Sequence, residues 1–196
     1  MHSAAGGVGG ALLQLAGVAG ARAIGVVGGS HKVETAKALG ADAVVDKSKE
    51  ELWPAVERAA PDGFHAVFDA NGVATLWESY RHLRPTGRLV VYGHHSMLPR
   101  GRGKPNWLAL AWHWWRIPRF DPLRMTESNK SVMAFNLSYL FDEMHVFRRA
   151  MDDLLGWVAD GSIVAPSVTE FALDDVADAH RALESGTTTG KLVLIP

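Results

Sequence analysis

The chain has 196 residues, with 20 basic against 21 acidic side chains for a net charge of −1, and 47% of its residues are hydrophobic. That length and apolar content suit one globular unit able to bury a sizeable core, and the balanced charge removes any general attraction to nucleic acid. It has no cysteine, which excludes disulfides and thiolate zinc sites and fits a reducing, cytoplasmic compartment. No basic region followed by an apolar run opens the chain, so no signal peptide is expected, and no apolar run reaches the length of a membrane span.

The first nine residues, MHSAAGGVG, read as the glycine-rich turn that follows the first strand of a dinucleotide-binding fold, with only a stub of that strand before it. Set against G-x-G-x-x-G, they give Ala4-x-Gly6-x-x-Gly9. The middle glycine lets a pyrophosphate approach the backbone, and the last lets the next helix sit close to the sheet. That helix is predicted over residues 8–19, with Ala11, Leu12, Leu15 and Val18 on one side and its first N–H groups aimed at the phosphates. Strands are then predicted at 23–27, 43–46, 65–69 and 87–93, alternating with helices at 31–39, 50–59 and 74–83. Short Val-rich strands alternating with amphipathic helices indicate a parallel sheet covered on both faces. The expected fold class is α/β: a Rossmann-type doubly wound parallel sheet with its first strand truncated. Farther on, residues 108–115 read as a short helix and 131–137 as a sixth, outer strand. The last stretch reads as the strand SVTEF, the helix DDVADAHRALES and the strand KLVLI.

The end of the second strand bears on the cofactor. A carboxylate there would bond a ribose 2′-hydroxyl, as in NAD-binding proteins. This chain instead has Gly28-Gly29-Ser30-His31-Lys32, and its first acid is Glu34 inside the helix. A serine hydroxyl and a lysine ammonium suit a 2′-phosphate, so NADPH is the expected cofactor; Ser30 also fits a helix cap. His94 and His95 follow the fifth strand near the expected nicotinamide, but no third or fourth ligand converges on them, and no metal site is expected.

Residues 96–125 carry Arg100, Arg102, Lys104, Arg116, Arg119 and Arg124 against one acid, Asp121, and hold four of the seven tryptophans: Trp107, Trp112, Trp114 and Trp115. A basic, Trp-rich helix suits a membrane interface. It equally suits packing against another domain or a second subunit, since aromatic enrichment marks protein interfaces too.

HSAAGGVG, AKALGADAVVD, FDANG, GRLVVYG and TTGKLVLIP, in that order, resemble the medium-chain dehydrogenase/reductase superfamily and its zinc-independent quinone oxidoreductase branch. WHWWRIPRFDPLRMTESNKSVMAFNLSYLF is similar to the subgroup of synaptic-vesicle amine-transport protein homologues. One departure is Asp46-Lys47, where the quinone reductases often carry a tyrosine. The resemblance implies a cofactor-binding half, residues 1–161, and a tail, 162–196, that in the family packs on a GroES-like substrate domain absent from this chain. It implies NADPH bound by Ala5, Gly6, Gly7, Val8, Gly9, Gly28, Ser30, His31, Lys32, Asn71, Gly72, Tyr92, Gly93, His94, Phe135 and Lys191. The implied activity is hydride transfer to quinones or other α,β-unsaturated carbonyls. No catalytic residue is identified; Tyr92 and His94 are the only candidate acids near the expected site. A homodimer through strand 131–137 is implied as well. The alternative is a non-catalytic nucleotide-binding or membrane-associated, lipid-handling module.

Overall fold

The computed structural model describes residues 1–94 and 107–196. His95 and the basic residues Arg100, Arg102 and Lys104 therefore lie outside the described residues. The chain divides into two units: Met1 with residues 3–50 and 138–196, and His2 with residues 51–137.

In the first unit the glycine-rich turn leads into α1 (Gly7–Val18), followed by β1 (Ile24–Val27), a 3₁₀ turn (Ser30–Lys32), α2 (Val33–Ala38) and β2 (Ala43–Asp46). β1 and β2 are parallel, with Ile24 opposite Ala43 and Val27 opposite Asp46. All four β1 residues, IGVV, are buried, as expected of a strand covered on both faces. The N-terminal stub extends this pairing. The Met1 amino group donates to the Ile24 carbonyl at 2.7 Å, the Val26 N–H to the Met1 carbonyl at 2.9 Å, and the Ala4 N–H to the Val26 carbonyl at 3.0 Å. The core is built from small residues, Ala4, Ala5, Ala23, Ala36 and Ala41, around Leu13 and Val27.

Two details differ from the sequence reading. α1 buries Gly9, Gly10 and Leu13, whereas Ala11 and Val18 are exposed. The glycine face, poor in side chains, wins because it permits the closest approach to the strands, an advantage that hydrophobic spacing does not register. The helix predicted over 31–39 opens as a 3₁₀ turn and becomes α-helical only at Val33.

The second unit holds α3 (Leu52–Ala59), β3 (Phe64–Asp69), α4 (Leu76–Arg81), β4 (Leu83–Val91), α5 (Trp107–Trp115), α6 (Pro122–Ser128) and β5 (Ser131–Ala134). Its strands run parallel in the order β3-β4-β5. Val67, Leu76, Tyr80, Leu83, Leu89 and Val91 form its core. β4 starts at Leu83, earlier than predicted: Phe64 pairs with Leu83, the register shifts, and pairing resumes at Ala66 with Arg88. Pro85 and Thr86, the latter at φ +68°, lie in the skipped stretch, where proline and glycine suggest a turn to any local reading. α6 is an addition to the predicted elements. Asp121 caps it by accepting from the Leu123 N–H at 3.0 Å, Pro122 opens it, and Asn129 ends it in the left-handed region. β5 is shorter than predicted, ending at Ala134.

The first unit resumes with α7 (Met144–Ala159), β6 (Val168–Ala172), a 3₁₀ turn (Leu173–Asp175), α8 (Val176–Glu184) and β7 (Lys191–Ile195). β6 and β7 are parallel, with Val168 opposite Lys191 and Ala172 opposite Ile195. α7 was not among the predicted helices; it lacks a side-chain cap at Glu143, the usual start signal, and none of its residues is buried. Among the described residues, no helix is long and apolar enough to cross a membrane.

Candidate functional site

In the first unit, Gly6, Gly7, Val8 and Gly9 form the start of α1. Gly6 is the N-cap in extended conformation, with no side-chain cap and no acid in the first turn. This end of the helix presents backbone N–H groups and partial positive charge, the physical basis of an anion site. Gly9 packs so closely that a Cβ there would lie 2.9 Å from both Ala4 Cα and the Ser3 carbonyl carbon, and closer still to the Ser3 oxygen. Lys191, far away in sequence, reaches the same spot: a Cβ built on Gly7 would meet its Nζ at 2.8 Å. Ala5, behind the turn, is core.

The second cluster of this unit sits at the C-terminal ends of β1 and β2, the edge where open α/β sheets bind ligands. The Ser30 hydroxyl donates to Asp46 Oδ2 at 2.6 Å rather than capping α2. Asp46 also accepts from the Ser48 N–H at 2.9 Å and the Ser48 hydroxyl at 2.6 Å. The Ser30 hydroxyl first, then that of Ser48, hold the Asp46 carboxyl below the usual carboxylate range. His31 Nε2 lies 3.2 Å from the Thr187 carbonyl, and the Lys32 ammonium donates to the Gly186 carbonyl. Partial burial lowers the Lys32 pKa.

Lys47 is a residue the sequence reading passed over. Its N–H donates to the Val27 carbonyl at 3.2 Å, and its Cε would lie 3.6 Å from a Cβ on Gly28. The side chain of exposed Lys47 thus runs alongside Gly28, two residues before Ser30. Its sequence signal was the departure from tyrosine at that position; only the parallel register of β1 and β2 shows where it goes.

In the second unit the remaining candidates gather at the C-terminal ends of β3, β4 and β5. Asn71 and Gly72 follow β3, Tyr92, Gly93 and His94 follow β4, and Phe135 follows β5. The Tyr92 N–H donates to the Asp69 carbonyl at 3.0 Å, and the Phe135 N–H to the Val91 carbonyl at 3.2 Å. Gly72 has φ +85°, and a Cβ there would lie 3.1 Å from His94 Cα, so both conformation and space call for glycine. Burial, then the nearby Asp69 charge, pushes the Tyr92 phenol upward.

A buried cluster missed by the sequence reading centres on Asp69, with 0% exposure. It accepts from the Asn71 N–H at 2.8 Å, the Gly72 N–H at 3.2 Å, Thr75 Oγ1 at 2.7 Å and Ser79 Oγ at 2.8 Å. Among the described residues, no group of three or more His, Asp or Glu side chains could hold a metal ion.

A family model described as zinc-binding dehydrogenase matches residues 39–194. The rat synaptic vesicle membrane protein VAT-1 homolog is 29% identical over 196 residues, covering 100% of this chain and 48% of that protein. The quinone oxidoreductase of Thermus thermophilus, solved alone and in complex with NADPH, superposes with a TM-score of 0.77 at 26% identity, covering 100% of this chain and 56% of that one. The Escherichia coli quinone oxidoreductase complexed with NADPH gives 0.75 at 27% identity, covering 100% and 56%. The chain thus spans about half the length of the relatives it matches.

Proposed function

The chain belongs to the zinc-binding dehydrogenase family, and from that premise we propose that it is the NADPH-binding portion of an oxidoreductase that passes hydride to quinones or other α,β-unsaturated carbonyls. One observation carries the reading: a helix start with no side-chain cap and no acid in its first turn, with the Lys191 ammonium laid against Gly7. Backbone donors and a cation at such a helix start fit a pyrophosphate. The two quinone oxidoreductases of similar fold were solved with NADPH, which supports the choice of nucleotide.

In this proposal Gly6–Gly9 and Lys191 hold the pyrophosphate. Ser30, His31, Lys32 and Lys47, beside Gly28, receive the 2′-phosphate. Asn71, Gly72, Tyr92, Gly93, His94 and Phe135 serve the nicotinamide end. The hydride chemistry belongs to the cofactor when bound; the chain binds, orients and shields it. Zinc does not fit the donors present, because the chain has no cysteine and its described residues offer no three-ligand group. No step is assigned to it. Residues 162–196 are proposed to pack on a substrate domain of the kind found in the family, and the compartment proposed is the cytoplasm.

Titrating tryptophan fluorescence with NADPH and NADH tests the reading: NADPH binds at least about tenfold more tightly, the effect of one charge-assisted contact. A second reading, a module that docks on anionic membrane, is favoured by α5, whose Trp107, Trp112, Trp114 and Trp115 are all exposed, with Arg116 over the Trp112 ring at 5.7 Å. No response to either nucleotide, together with sedimentation on phosphatidylserine vesicles, would decide for it.

A homodimer through β5 is part of the proposal. β5 stands at the end of its three-stranded sheet, and Met133 and Phe135 are each 52% exposed beside it. Because the Phe135 N–H points to β4, strand alternation turns the Ala134 N–H outward, where a second copy can pair. Ala134→Pro removes that donor without touching the β4 ladder. Light scattering is expected to show a dimer for the wild type and a monomer for the variant; a wild-type monomer defeats the idea.

A further inference from the structure

The Asp69 cluster has a definite proton order. The single Ser79 hydroxyl proton goes to Asp69 Oδ2 at 2.8 Å, yet His2 Nε2 lies 3.0 Å from the same Ser79 oxygen. Ser79 has no second proton to give, so His2 must donate from Nε2 and Ser79 must accept. The chain His2→Ser79→Asp69 therefore runs one way. Thr75 completes Oδ2, and Oδ1 is left to the N–H groups of Asn71 and Gly72. His2, Ser79 and Asp69 are 4%, 1% and 0% exposed, so water cannot replace a missing partner.

We propose that Asp69 is a positioning residue for the cofactor, holding the Asn71–Gly72 turn in its nucleotide-binding shape, and that His2 and Ser79 are positioning residues for Asp69. This rests on the reading of the chain as an NADPH-binding protein and adds to it a residue that touches neither cofactor nor substrate. With both Oδ2 contacts made by hydroxyls, the carboxylate cannot rotate, and Oδ1 fixes the two backbone donors of the turn. Gly72 then takes its φ of +85° against His94.

The test compares NADPH with 2′,5′-ADP, which lacks the nicotinamide end, on the full chain. Asp69→Ala and His2→Leu are expected to weaken NADPH binding about tenfold or more, with 2′,5′-ADP unchanged within about twofold, the split that loss of a local buried hydrogen bond predicts. His2→Gln, whose amide N–H can replace that of Nε2, is expected to restore NADPH binding to within about threefold of wild type. Should Asp69→Ala fail to fold, Ser79→Ala gives the same comparison with the carboxylate retained. Parallel loss of both ligands, unchanged NADPH binding, or failure of glutamine to rescue overturns the proposal. Wild-type protein that binds neither ligand overturns the nucleotide reading itself.

Discussion

Gly9→Ala is expected to destabilise the chain by about 3 kcal/mol or more, the upper range for overpacking against atoms that cannot move aside. The added methyl would meet backbone, Ser3 O, Ser3 C and Ala4 Cα, and no flexible side chain could yield. Those atoms belong to the stub whose N–H and C=O groups pair with β1, so relief by a shift would break that ladder. Gly17→Ala in the same helix is the control. Nothing lies within 4 Å of a Cβ there, and relief of glycine's backbone entropy is expected to stabilise by about 0.5–1 kcal/mol. Thermal denaturation of the two variants should move in opposite directions. Equal midpoints would show that the close approach of Gly9 to Ser3 and Ala4 is not rigid.

Charge reversal at the C-terminal ends of β1 and β2 is the other large effect. Lys47→Glu is expected to weaken NADPH binding by about 10- to 100-fold, the loss of one charged hydrogen bond worth roughly 1.5–3 kcal/mol, while NADH changes little. Lys32→Glu should do less, because the Lys32 ammonium is already engaged with the Gly186 carbonyl and must leave it to reach a phosphate. Asp46 works against the phosphate. Its carboxyl, held below the usual carboxylate range, accepts the hydrogen bond that the Ser30 hydroxyl donates, so Ser30 must turn away from it to donate elsewhere. Fluorescence titration of both nucleotides ranks the two lysines. An unaltered NADPH-to-NADH ratio in Lys47→Glu would remove Lys47 from the site.

Much of the fold could be read from order and composition. IGVV, AVVD and HAVFD are short, β-branched and bounded by turn residues, and each became a parallel strand within one residue of its predicted limits. The Rossmann class followed because alternation of strand and helix leaves few other arrangements. The glycine spacing of the first nine residues, too, was enough to locate the turn before α1.

What local pattern could not supply was any feature set by a partner distant in sequence. Leu83 joins β4 only because Phe64 is there to pair with it, across a proline and a positive-φ threonine that interrupt every local strand signal. The buried side of α1 is its glycine side, since backbone proximity to the sheet outweighs the larger apolar area of Leu12 and Leu15. Ser30 reads as a cap until the strand register brings Asp46 beside it. Lys47 reads as a missing tyrosine until the same register lays it along Gly28. His2 and Asp69 lie in two separate motifs, HSAAGGVG and FDANG, and nothing in either points to Ser79 or to their meeting, since His2 and Ser79 are 77 residues apart. Local propensity and hydrophobic period determined which elements this chain forms; which polar atoms meet was decided only when the parallel strands, by setting their ends side by side, converted separations in sequence into hydrogen-bond distances.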